Sequence, residues 1–166
     1  HRADATDFAW TYSSWNPRAH MPMPVGFGDD ALWAALLDLA EQPPTPGRET
    51  FLHRDYHPTN ILWQNETVSG VVDWVNACRG PAGVDVAHCR LNLALMYGLA
   101  SADEFLQAYE RAAGGYRHDP YWDVDDAMGW NVWDPAYYPP WRDFGLRPIS
   151  RAVLRDRLYA FLRAAV

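Results

Sequence analysis

The sequence contains no lysine. All 14 of its basic residues are arginine, so any chemistry that needs a lysine must draw it from outside these 166 residues. Basic clusters are missing as well. Fourteen Lys+Arg stand against 21 Asp+Glu, a formal net charge of -7, which argues against the basic footprint of a nucleic-acid binder. The balance suits a cationic small molecule better. Cysteine is scarce: Cys78 and Cys89 form no C-x-x-C pair, which points away from a disulfide scaffold or a cysteine zinc site and towards a reducing, cytoplasmic setting. No apolar run approaches the roughly 20 residues of a membrane span, and no membrane partner is expected. The chain opens on His1, no secretory leader is read there, and no internal repeat or low-complexity tract is present.

What is abundant is apolar and aromatic. Hydrophobic residues make up 49% of the chain, and nine Trp, nine Tyr and six Phe are among them. That composition and length predict one soluble domain, residues 1–166, with a substantial core. Prolines and glycines from Trp15 to Gly28 read as loop. Asp29 or Asp30 can cap a helix to about Glu41, with Leu32, Leu36, Leu37 and Leu39 on its apolar side; Pro43, Pro44 and Pro46 stop it. Thr50 to His53 is a short strand. Ile61–Trp63 and Val68–Asp73 read as a hairpin turning at Gln64-Asn65-Glu66, and Gly80-Pro81-Ala82-Gly83 as a loop. A buried helix is expected from about Val84 to Gly98. Another is expected behind a Ser101/Glu104 capping box and ending at Gly114-Gly115. A last amphipathic helix spans about Ser150 to Ala165, with Arg151, Arg155 and Asp156 on its wet side. The class is α+β, predominantly helical.

The stretch His53-Arg54-Asp55-Tyr56-His57-Pro58-Thr59-Asn60 lies between the strand and the hairpin, and the hairpin ends in Val71-Val72-Asp73-Trp74. An Asp and an Asn five residues apart on a loop, followed by an Asp at the end of a hairpin, is what phosphoryl transfer from ATP needs. One carboxylate faces the acceptor hydroxyl; an amide oxygen and a second carboxylate hold magnesium on the triphosphate. Asp55 is then the base, and Asn60 and Asp73 the Mg²⁺ ligands.

HRDYHPTN, then GVVDW, then GPAGVDVAH resembles the aminoglycoside phosphotransferase and choline kinase family, relatives of the protein kinases. His53, Asp55, Asn60, Asp73 and Asp85 fall on its pattern over about 40 residues. Arg54 stands where a small residue is common in the family. The resemblance implies a two-lobed protein-kinase-like fold of which this chain is the C-terminal lobe, with a small β-hairpin beside the catalytic loop. About 50 residues precede the motif, without G-x-G-x-x-G or a lysine strand, so the nucleotide-covering N-terminal lobe is expected to be a partner outside this chain. By itself the chain is expected to fold, to lack turnover, and to offer the exposed lobe interface for self-association. In the family, His53 holds the loop and Asp85 bonds its backbone, which places both behind the site.

His57, before Pro58, reads as loop-shaping or close to substrate. From Asp119 to Trp141 the chain carries five aspartates and no Lys or Arg. His57, Asp123, Asp125, Asp126, Trp130, Trp133 and Asp134 are therefore candidate acceptor contacts, the rings stacking on the substrate and the carboxylates pairing with its ammonium groups. Against this stands a plain reading of the same residues as core and turns. The expected activity is transfer of the ATP γ-phosphate to a hydroxyl of an amino-sugar or amino-alcohol. Two other readings remain: a non-catalytic small-molecule-binding lobe, and a metal-dependent hydrolase with His53, Asp55 and His57 alternating on one strand and Asp73 completing the site.

Overall fold

The computed structural model describes residues 9–14, 21–129 and 134–166. Helix α1 spans Asp30–Glu41, and the Asp29 carboxylate accepts the Leu32 N–H at its start. Its buried stripe is Trp33, Leu36 and Ala40; the other leucines pack at the margins of the same core. Four short strands follow: β1 (Glu49–Leu52), β2 (Ile61–Gln64), β3 (Thr67–Val71) and β4 (Cys78–Pro81). They form two separate antiparallel pairs, β1 with β4 and β2 with β3. Gly80 and Pro81, expected in a loop, belong to β4, because Thr50 and Glu49 pair with them across the ladder. On the far side of β4, Tyr12 N–H donates to Arg79 O and Arg79 N–H donates to Trp10 O, both at 2.7 Å.

The β2–β3 hairpin turns on Asn65 and Glu66, which both take positive φ, 49° and 62°. That is the handedness a two-residue hairpin turn requires. Its register shifts between Leu62 and Trp63. Leu62, Trp63 and Val68 are about half exposed, so this ribbon is not held by a core of its own; two strands alone are marginal in water.

The helices carry the stability. Helix α2 (Gly83–Tyr97) is buried on nearly every side, as its apolar sequence implies, and packs against α3 (Leu99–Ala113), α4 (Pro120–Gly129) and α5 (Arg151–Arg163). The core joins Leu36, Leu91, Leu95, Val124, Trp141, Leu154 and Phe161. Each such side chain removed from water contributes about 1.5–3 kcal/mol. Gly83 is required by close approach: a Cβ there would lie 2.2 Å from the Trp122 indole. Helix α5 begins as expected, with Ser150 Oγ accepting the Val153 N–H.

Two expectations need correction. Ser101 does not cap α3. Gly98, at φ 104°, turns the chain directly out of α2, and α3 starts at Leu99 with Ser101 already inside it. In the acid- and aromatic-rich segment, Tyr121, Trp122 and Trp141 are core as the plain reading had it, but Asp123, Asp125 and Asp126 lie on a helix, α4, rather than in turns. Among the described residues, no helix is long and apolar enough to cross a membrane.

Candidate active site

Strand β1 ends at Leu52, in register with Cys78, and delivers the loop that follows to the start of α2. Asp85, in the first turn of α2, accepts two backbone N–H groups at 2.7 Å: His53 N–H on Oδ2 and Arg54 N–H on Oδ1. Burial pushes Asp85 towards protonation, and these two bonds oppose it. Arg54 takes the left-handed conformation, φ 68°. An L side chain is uncommon there, and Arg54 is also anchored through its guanidinium to Ser13 O at 2.6 Å.

His53 links the loop to the hairpin. Its Nδ1 accepts the Asp55 N–H at 3.3 Å, and its Nε2–H donates to Val72 O at 2.7 Å. One neutral tautomer satisfies both bonds. Val72 N–H in turn donates to Asn60 O at 3.0 Å. The residue before Asp73 is thus tied on both faces to the loop that bears Asp55 and Asn60. Asp73 has φ 66°, is exposed, and makes no capping bond to the 3-10 turn it begins. Asn60 is buried; its Nδ2 donates to Asp55 O at 2.8 Å and to Asp55 Oδ2 at 3.2 Å.

The other Asp55 oxygen meets two imidazoles. His57 Nε2 lies 3.4 Å and His88 Nε2 3.2 Å from Oδ1. Those contacts, His57 foremost and then His88, hold Asp55 well below the usual carboxylate range, against the effect of burial. His88 is buried, which opposes its charge, but the Asp126 and Asp55 carboxylates outweigh this and raise it to about 10. Its Nδ1 is 3.0 Å from Asp126 Oδ1. His88 thus lies between two carboxylates, which favour its charged form. The reading from sequence missed it. The available signal was a polar stripe, Asp85, His88 and Asn92 at positions i, i+3 and i+7 of an otherwise apolar helix.

The remaining candidates divide. Asp126 faces the site through His88. Asp123 does not: it is 3% exposed, and pairs with Arg90 at 3.2 Å through both its oxygens and with His118 Nε2 at 2.8 Å. Asp125 is equally buried and accepts Tyr12 OH at 2.8 Å and Ser14 OH at 2.9 Å. Asp134 is exposed and pairs with Arg151. Trp130 and Trp133 lie outside the described residues. His53, Asp55 and His57 do not share a strand, as the hydrolase arrangement required. They follow the end of β1, and the His53 ring nitrogens are taken up by backbone.

Comparison with known proteins adds one finding. Residues 2–130 match the model of a family described as the phosphotransferase enzyme family. No curated protein and no solved structure matches the chain.

Proposed function

Since the chain belongs to the phosphotransferase enzyme family, we propose that it moves the γ-phosphoryl group of ATP to a hydroxyl of a small molecule, with Asp55 facing that hydroxyl. The observation that carries this reading is the junction of loop and hairpin. Two hydrogen bonds of the His53 imidazole and one backbone bond from Val72 fasten the segments bearing Asp55, Asn60 and Asp73 to one another.

In the proposed reaction the acceptor oxygen bonds to Pγ while the bond from Pγ to the β–γ bridging oxygen breaks. The hydroxyl proton passes to the Asp55 carboxylate, and ADP leaves. A carboxylate held as far down as Asp55 is a weak base. Its role is to orient the hydroxyl and to take the proton late, which suits a loose, metaphosphate-like transition state. His57 and His88 keep it ionised and fixed.

Asn60 and Asp73 fit magnesium by their donor chemistry. The Asn60 amide nitrogen is engaged with Asp55, which leaves its hard carbonyl oxygen, and the Asp73 carboxylate caps nothing. Bound there, the ion would neutralise charge on the triphosphate. The excess of acidic residues favours a cationic acceptor, an amino-sugar or amino-alcohol. The two cysteines, both free and buried, suit a cytoplasmic setting.

The test is transfer from γ-labelled ATP with Mg²⁺, using the full-length protein and panels of aminoglycosides, choline-like alcohols and sugars. Label is expected on a hydroxyl of one class and not in Asp55→Ala. Absence of transfer to every class, or an unimpaired Asp55→Ala, would refute the reading.

A further inference from the structure

We propose that Asp55, His57 and His88 form a binding site for a divalent transition ion of the zinc class, and that the ion switches phosphotransfer off by capturing Asp55. The three residues bring one carboxylate oxygen and two imidazole nitrogens within 4.8 Å of one another, with both histidines buried. The Asp55 Oδ1 contacts, 3.4 Å to His57 Nε2 and 3.2 Å to His88 Nε2, match the separation of two ligands on a tetrahedral ion, about 3.3 Å for bonds of about 2.0–2.1 Å.

The surrounding groups point the same way. His57 Nδ1 is 2.9 Å from Thr59 Oγ1, and His88 Nδ1 is 3.0 Å from Asp126 Oδ1. Each imidazole therefore has its far nitrogen held by an oxygen, which aims Nε2 at the shared point. A carboxylate behind a metal-bound histidine is the usual way to orient such a ligand. The ion would take the place of the hydrogen between His88 and Asp55.

This set differs in kind from the magnesium donors. Imidazole nitrogen suits zinc, cobalt or nickel, whereas Asn60 and Asp73 offer only oxygen. One site can therefore fill without the other, and the fourth position of a three-ligand site stays open for water. The inhibitory part of the proposal rests on Asp55 facing the acceptor; the ion site itself does not.

The experiment titrates the whole protein, stripped with chelator, with Zn²⁺ by calorimetry and with Co²⁺ by its visible absorption. One ion per chain is expected, with Co²⁺ displaced by Zn²⁺. His57→Gln and His88→Gln should each weaken binding by tenfold or more, and Asp126→Asn by about 10- to 100-fold. His118→Gln should leave it unchanged. Because His88 is buried, each variant is melted first, and His57→Gln and Asp126→Asn keep the test valid should His88→Gln fail to fold. No one-to-one binding, or binding indifferent to His57→Gln and Asp126→Asn, overturns the site. Zn²⁺ is further expected to abolish Mg²⁺-ATP turnover, and chelation to restore it. Turnover untouched at saturating Zn²⁺, or lost on chelation, overturns the inhibitory role. A specific ion in a protein that transfers no phosphate upholds the site and removes the phosphotransferase reading instead.

Discussion

Two groups of aspartates in this protein are used in opposite ways. Between His53 and Asp85 the carboxylates sit at the ends of short strands and the first turn of a helix. There they bond backbone amides, meet histidines, or face solvent. On α4 the carboxylates of Asp123 and Asp125 are buried, and their partners are an arginine, a histidine, a tyrosine and a serine. The first region is thin, and its neighbouring hairpin is exposed; the second lies inside the helical core. A buried charge is tolerated only when paired, so Asp123 and Asp125 are committed to the fold, whereas Asp126 on the same helix meets His88. The loop acids, supported by backbone, keep oxygen atoms for chemistry. Density of acidic residues does not locate the site; the partners that each acid meets do.

The largest effect separating the regions is on turnover. Asp55→Ala is expected to lower the phosphotransfer rate per folded molecule by about 10²- to 10⁴-fold, an effect on turnover larger than the stability lost with its His57 and His88 contacts. A large loss of stability with turnover intact would invert the comparison.

Asp123→Ala should do the reverse. It leaves Arg90 buried without its bidentate partner, a change that costs about 3–5 kcal/mol, read by urea unfolding, while turnover per folded molecule persists. A variant as stable as the parent would show that Asp123 is not committed to the core.

Next comes pH. His88 is raised from its ordinary value of 6.5 to about 10. Its contribution to stability is complete below pH 6.5 and declines as pH rises towards 10, by at most about 1.4 kcal/mol per unit. Asp55 is lowered from 3.8, so its contribution is present above that value and is lost on acidification. The groups facing His88 are Asp55 and Asp126, with His57 beside them. In chelator-treated protein, stability should therefore be greatest between about pH 4 and 6.5. His88→Gln should flatten the alkaline decline, and an unchanged decline would assign it elsewhere.

The smallest effect is at the surface. Asp134→Ala removes an exposed pair with Arg151 and should change stability by less than about 1 kcal/mol. A loss as large as that of Asp123→Ala would erase the distinction between exposed and buried acids.

Much of this was legible beforehand because it is local. Asp29 and Ser150 begin helices through their own side chains, the Asn65-Glu66 turn follows from two strands of alternating character, and α2 is apolar over most of its length. The loop motif placed Asp55, Asn60, Asp73 and Asp85 at their spacings. Where local cues failed, a neighbour decided. Ser101 lost its cap because Gly98 restarted the helix earlier, and Gly80-Pro81 became a strand because β1 lay beside it.

What the order of residues determined by itself is the set of oxygen donors on the loop and hairpin, the helical body, and the absence of lysine from these 166 residues. Those depend on residue type, spacing and periodicity, which act over a few positions. What only the tertiary structure decided is which acids face which partners. His88 meets Asp55 across 33 positions of chain (88 − 55), and Asp125 meets Tyr12 across 113. Contacts of that span come from packing helices against loops and extended segments, and no local pattern encodes the rotation that brings one side of α2 towards the loop and turns Asp123 and Asp125 into the core.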